Sequence, residues 1–156
     1  MTLSLEDRID RLESIAAIQQ AKARYCTYCD NGYEPKGIGS LFTEDAVWDG
    51  GSLGVYRGRP AIEEFFRNVS GTFVFAGHLV TNPCIDFADK DHATTTWRLL
   101  EPATIREGGK DHSRLLLAGY IDQSVRENGK WLVKHLKLNV NFFVNIEDGW
   151  AATAVA

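Results

Sequence analysis

The chain has no run of basic residues, no apolar stretch approaching a bilayer's width, and only three cysteines in 156 residues. Each shortage removes a class of function. Nucleic acids and anionic membranes are bound through clustered Lys and Arg; here 17 basic residues face 21 acidic ones, a net charge of −4. A membrane-spanning helix needs about 20 consecutive apolar residues, and a secretory leader a charged, then apolar start before a cleavage site. Neither pattern is found, so a cytoplasmic protein is expected. An odd cysteine count in a domain of ordinary size fits reduced thiols, not a disulfide framework. Cys26 and Cys29 have redox-pair spacing, but they fall inside a helical stretch and read as buried thiols. His78, His92, His112 and His135 supply no pair at metal-ligand spacing. The glycines at 50, 51, 54 and 58 lack the Lys-Ser/Thr of a phosphate loop. No metal and no cofactor is expected.

What remains is an ordinary globular composition, 44% hydrophobic and 24% charged. One domain over residues 1–156 is expected, with its core at about 5–145 and a tail from 148 to 156 anchored by Trp150. Leu5, Ile9, Leu12, Ile15, Ile18 and Ala21 recur at helical steps over residues 5–30, with Ser4 as cap and Asn31-Gly32 as stop. Residues 36–42 form further turns, Ala46-Val47-Trp48 a short strand, and Gly58-Arg59-Pro60 opens another helix with Pro at its first position. Beyond Thr72 the pattern changes to strands at about 73–88, 93–101, 113–126 and 131–143. Asn128-Gly129 is the strongest hairpin signal, suited to a type I′ turn.

Helices gathered at the front and long strands joined by short turns make an α+β domain. The sheet, mixed or antiparallel and strongly curved, is expected to wrap as a cone around three helices. Leu116, Ala118 and Tyr120 on one strand, and Leu136, Leu138, Val140 and Phe142 on the last, alternate onto its inner face. Trp97, Thr95, Asn139 and Asn141 are assigned to the outer face, whose exposure points to association with further copies of the chain.

His78 carries the functional argument. It interrupts the uncharged run Phe73 to Val80, and an imidazole among apolar residues needs a partner. Asp30 is the candidate, a carboxylate at a helix C-terminus where the dipole disfavours it. A His oriented by an Asp beside an apolar cavity is a general base suited to neutral pH. Asp49 follows the short strand in a glycine-flanked loop. Trp48 and Tyr120 line the cavity or fill it.

The segments Leu41-Phe42-Thr43-Glu44-Asp45-Ala46-Val47-Trp48, Tyr56-Arg57-Gly58 and Ala61-Ile62-Glu63-Glu64-Phe65 resemble the SnoaL-like branch of the nuclear-transport-factor-2-like superfamily, as does the hairpin around Asn128-Gly129. The resemblance covers roughly residues 5 to 145 and implies the cystatin-like α+β barrel and assembly as a homodimer or homotrimer. Asp30 and His78 fall where the family's dehydratases and dehydrochlorinases carry an Asp–His dyad, among them hexachlorocyclohexane dehydrochlorinase, scytalone dehydratase and bile acid 7α-dehydratase. Tyr25 stands where the dehydrochlorinase has a lysine, and Leu136 where it has an arginine, so an oxygen leaving group suits this chain better than chloride.

The expectation is a cofactor-independent lyase of dehydratase type. His78 is its base, Asp30 orients the base, and Tyr25 donates to the departing hydroxyl or an activating carbonyl. Trp48, Asp49, Leu116, Ala118, Tyr120, Leu136, Leu138 and Val140 would bind a small apolar substrate. Two alternatives stay open: an isomerase or cyclase with Asp49 or Asp30 as base, and a ligand-binding module without catalysis.

Overall fold

The computed structural model describes residues 3–151. Helix α1 (Leu5–Asp30) begins at a capping box, in which Ser4 Oγ accepts from the Asp7 backbone N–H at 3.1 Å and the Asp7 carboxylate reaches back to Ser4. Its buried seam is Ser14, Ile18, Lys22, Tyr25, Cys26 and Cys29. Leu5, Ile9 and Leu12, expected on that seam, face solvent, because the seam is taken up only where the sheet covers the helix. Helix α2 (Pro35–Gly39) follows, then β1 (Phe42–Asp49), a 3₁₀ turn (Gly51–Leu53), β2 (Val55–Arg57) and α3 (Arg59–Val69). Pro60 is therefore the second residue of α3. Among the described residues no helix is long and apolar enough to cross a membrane.

Strands β3 (Phe73–Ala76), β4 (Leu79–Phe87), β5 (His92–Glu107), β6 (Lys110–Glu127) and β7 (Lys130–Asn145) complete a seven-stranded sheet in the order β2-β1-β7-β6-β5-β3, with β4 also on β5. β1 and β7 run parallel and the other pairs antiparallel. Three helices and this strongly curled mixed sheet form a half-barrel of the α+β class. Two tight turns fold the long strands back on themselves. Asn128 and Gly129 both have positive φ (50° and 76°), as do Gly108 and Gly109 (57° and 77°), the backbone of type I′ hairpins.

Several strand expectations need correction. The segment 73–88 is two strands, not one, interrupted at Gly77-His78. Pro102 of β5 lies opposite the gap: its carbonyl accepts from Gly77 N at 3.0 Å, but it has no N–H to return. The ladder fails there and the chain turns inward. β5 extends to Glu107, and its buried residues are Ala93, Thr95, Trp97, Leu99, Glu101, Ala103 and Ile105. Thr95 and Trp97 thus face the core, the reverse of the outward placement read from sequence. In β7 a register shift skips Asn141, so that Ala118 pairs with Val140 and Leu117 with Phe142. Phe142 then stacks on Trp150 (centroids 5.8 Å apart, planes 6° apart), and Phe143 takes the inward position. The tail from 152 onward lies outside the described residues.

Trp97 faces inward because its indole Nε1 donates to Asp122 at 3.0 Å. The same carboxylate is 2.8 Å from Lys22 Nζ, which lies 3.7 Å above the Tyr120 ring. Both members of the ion pair are buried, so neither charge is tolerable alone. Lys22→Met is expected to destabilise the fold by roughly 3–5 kcal/mol, read from chemical denaturation. Adding Asp122→Asn should restore part of that loss, since the amide keeps an acceptor for Trp97 without the charge.

Candidate active site

Asp30 is the last residue of α1, where four carbonyls lack helical partners and an anion is disfavoured. Two donors from one residue compensate it. The backbone N–H of His78, in the link between β3 and β4, donates to Asp30 Oδ1 at 2.9 Å, and ring Nδ1 meets the same oxygen at 2.7 Å. A carboxylate only accepts, so Nδ1 carries the hydrogen, and in the neutral tautomer this selects, the lone pair lies on Nε2. The imidazole is 5% exposed and the Asp30 side chain 37%. The acid therefore stands behind the ring at the surface, and the ring faces the interior.

On the inner side, Nε2 lies 3.4 Å from Glu101 Oε2, a carboxyl that is itself buried. Burial pushes the Glu101 pKa above the usual carboxylate range; His78 opposes that shift and Asp30 adds to it. Tyr33 packs edge-on against the imidazole, its centroid 6.1 Å away. Its backbone adopts φ 58°, rare for an aromatic residue, which turns the ring back beneath the end of α1.

These groups border a cavity of about 90 Å³ walled mainly by aromatic and aliphatic side chains. Of the residues expected to bind substrate, Trp48, Leu116, Tyr120, Leu138 and Val140 line it, and Tyr25 and His78 do too. The others do not. Ala118 is fully buried beneath the lining. Leu136 pairs with Asp122 and lines a separate void of about 20 Å³ beside Lys22. Asp49 accepts from Gly51 N at 2.9 Å, propping the 3₁₀ turn whose Ser52 and Leu53 form part of the rim. Asp30 reaches the cavity only through His78.

Tyr25 separates the two voids and lines both. Its oxygen accepts from Trp48 Nε1 at 3.1 Å, and burial raises its phenol above the ordinary range, keeping the hydrogen in place as a donor. Burial pushes the Cys26 thiol up to about 11 and raises Cys29 as well, so neither is a reactive thiolate. Among the described residues no group of three His, Cys, Asp or Glu side chains converges as a metal ion requires.

Residues 10–137 match the SnoaL-like domain. The chain belongs to that family. Among solved structures, a hexachlorocyclohexane dehydrochlorinase (LinA) of type 2 superposes with a TM-score of 0.82 at 26% identity, over 88% of this chain and 92% of that one. The LinA-type3 enzyme from Novosphingobium barchaimii LL02 gives 0.81 at 25% identity, over 96% and 97%. A putative scytalone dehydratase from Novosphingobium aromaticivorans gives 0.79 at 22%, over 88% and 91%, a likeness of fold. No curated protein matches the sequence.

Sequence reasoning missed Glu101 and Tyr33. Glu101 was findable, being in phase with Leu99 once the inward face of β5 is set correctly. Because Glu101 keeps its proton in the folded protein to a higher pH than in the unfolded chain, its contribution is intact below the ordinary Glu pKa of about 4.3 and declines as pH rises through the raised value. Glu101→Gln should therefore gain stability relative to the parent as pH goes from about 4 to 8. A melting-temperature difference that stays constant across that span would contradict this reading.

Proposed function

We propose that the chain is a cofactor-independent lyase performing a dehydratase-type β-elimination on a small, largely apolar substrate that bears a hydroxyl and a carbonyl. One observation carries the reading: a single carboxylate oxygen accepts both the backbone N–H and the Nδ1 hydrogen of His78, leaving Nε2 facing an apolar cavity. Support also comes from the relatives, whose names describe loss of hydrogen chloride and loss of water.

In this reading His78 Nε2 takes a proton from carbon. Asp30 fixes the tautomer and stabilises the imidazolium that forms. Tyr25 donates its hydroxyl hydrogen to the substrate carbonyl, where negative charge builds. The surrounding rings exclude water and strengthen these interactions. The small cavity favours a compact substrate, since a cavity of about 150 Å³ accommodates benzene. An isomerase using Asp49 has less support, because that carboxylate is turned to Gly51 at the rim.

Proton abstraction can be followed without the natural substrate, by deuterium exchange into butanone. His78→Gln is expected to slow the protein-catalysed exchange on the order of 10² to 10⁴-fold, and Asp30→Asn by at least about tenfold, with melting temperatures retained. Exchange unchanged in His78→Gln would sink the proposal. Tyr25→Phe should slow exchange and also cost about 1–3 kcal/mol of stability, because Trp48 Nε1 loses its buried acceptor.

A further inference from the structure

Elimination of water needs a second proton event, since hydroxide is a poor leaving group and its oxygen must be protonated as the carbon–oxygen bond breaks. The dyad accounts only for the first. Resting on the elimination reading, we infer that Glu101 is the general acid of the site, donating a proton to a departing hydroxyl, and that the substrate class is a β-hydroxy carbonyl compound rather than a halide.

The argument begins with position. Glu101 is one of two carboxylates near the imidazole, and it is the one lining the cavity. Its Oε2 is 3.4 Å from the atom that acts as base, so a molecule seated against Nε2 also meets the carboxyl. The ionisable groups facing it are His78 from the β3–β4 link, Asp30 and Cys29 from α1, Tyr33 after α1, and Tyr120 from β6. None is a permanent cation. Lys22, the nearby buried ammonium, is held by Asp122. Burial raises its pKa above the ordinary carboxylate range, with His78 opposing and Asp30 adding, a shift towards the protonated form that an acid catalyst needs.

The steps balance. His78 Nε2 removes the proton from the carbon beside the carbonyl, and that electron pair becomes the new double bond. The carbon–oxygen bond breaks with its electrons on oxygen, which takes the Glu101 proton and leaves as water. The site then holds an imidazolium and a carboxylate 3.4 Å apart, and transfer of the proton from Nε2 to Oε2 restores both groups. No proton need come from solvent. A chloride leaves without protonation and has no use for this acid.

Two measurements test the assignment. The infrared difference between parent and Glu101→Gln at neutral pH should contain the C=O stretch of an un-ionised carboxyl; its absence overturns the inference. Turnover is then compared on methyl β-hydroxyethyl ketone and methyl β-chloroethyl ketone, both yielding methyl vinyl ketone. Glu101→Gln should lose at least about 100-fold on the hydroxy ketone and stay within a few-fold on the chloro ketone. Equal losses on both, or a loss on neither, overturn the assignment. A parent protein that exchanges butanone through His78 but leaves the hydroxy ketone intact overturns Glu101 as the acid while the base stands. One that does neither overturns the elimination reading and the assignment with it.

Discussion

One carboxylate oxygen holds the site together. Asp30 Oδ1 receives two donors from His78, so a single acceptor sets both the path of the chain between β3 and β4 and the orientation of the ring. The arrangement depends on a local failure of the sheet. Opposite Gly77, β5 presents Pro102, whose carbonyl accepts from Gly77 but which has no N–H to return. The next N–H along, that of His78, alternates away from β5, and the carboxylate at the end of α1 supplies its acceptor. The cost of an anion at a helix C-terminus and the cost of an unpaired N–H thus offset each other.

The polar groups of the half-barrel divide into two layers. Deep inside, Lys22, Asp122 and Trp97 form a paired cluster, and Lys22 and Asp122 border a void large enough for about one water molecule. Toward the opening, His78 and Glu101 border the larger cavity. Tyr25 and Tyr120, packed edge to face, lie between the layers, with Trp48 hydrogen-bonded to Tyr25, and they keep the charged cluster apart from His78 and Glu101. The inner cluster is therefore a matter of stability, and the outer pair is where the proposed chemistry is set.

Much of this was legible in the residues. A histidine in an apolar run and an aspartate at an unfavourable helix end each called for a partner, and the fold makes them partners. The hairpins were legible because Asn-Gly and Gly-Gly fit left-handed backbone in a way few dipeptides do. What escaped was phase. Trp97 and Thr95 were assigned outward, although the Trp97 indole has a buried acceptor that sequence does not reveal, and that assignment hid Glu101 on the same face. The skipped Asn141 exchanged Phe142 for Phe143, since a strand's alternation predicts inward residues only up to the first bulge. Asp49 and Leu136 failed for a different reason: being near the cavity in sequence order does not say which void a side chain enters.

The two glycine hairpins also bear on the order of assembly. β5, β6 and β7 pair through short closures, which cost little chain entropy and form early. The link between Asp30 and His78 spans 48 residues and must wait until α1 docks into the curled sheet. A partly folded chain could thus hold most of its strand pairing and still have an unsteered imidazole, so that the orientation of the His78 ring is settled last and serves as a sensitive reporter of complete folding.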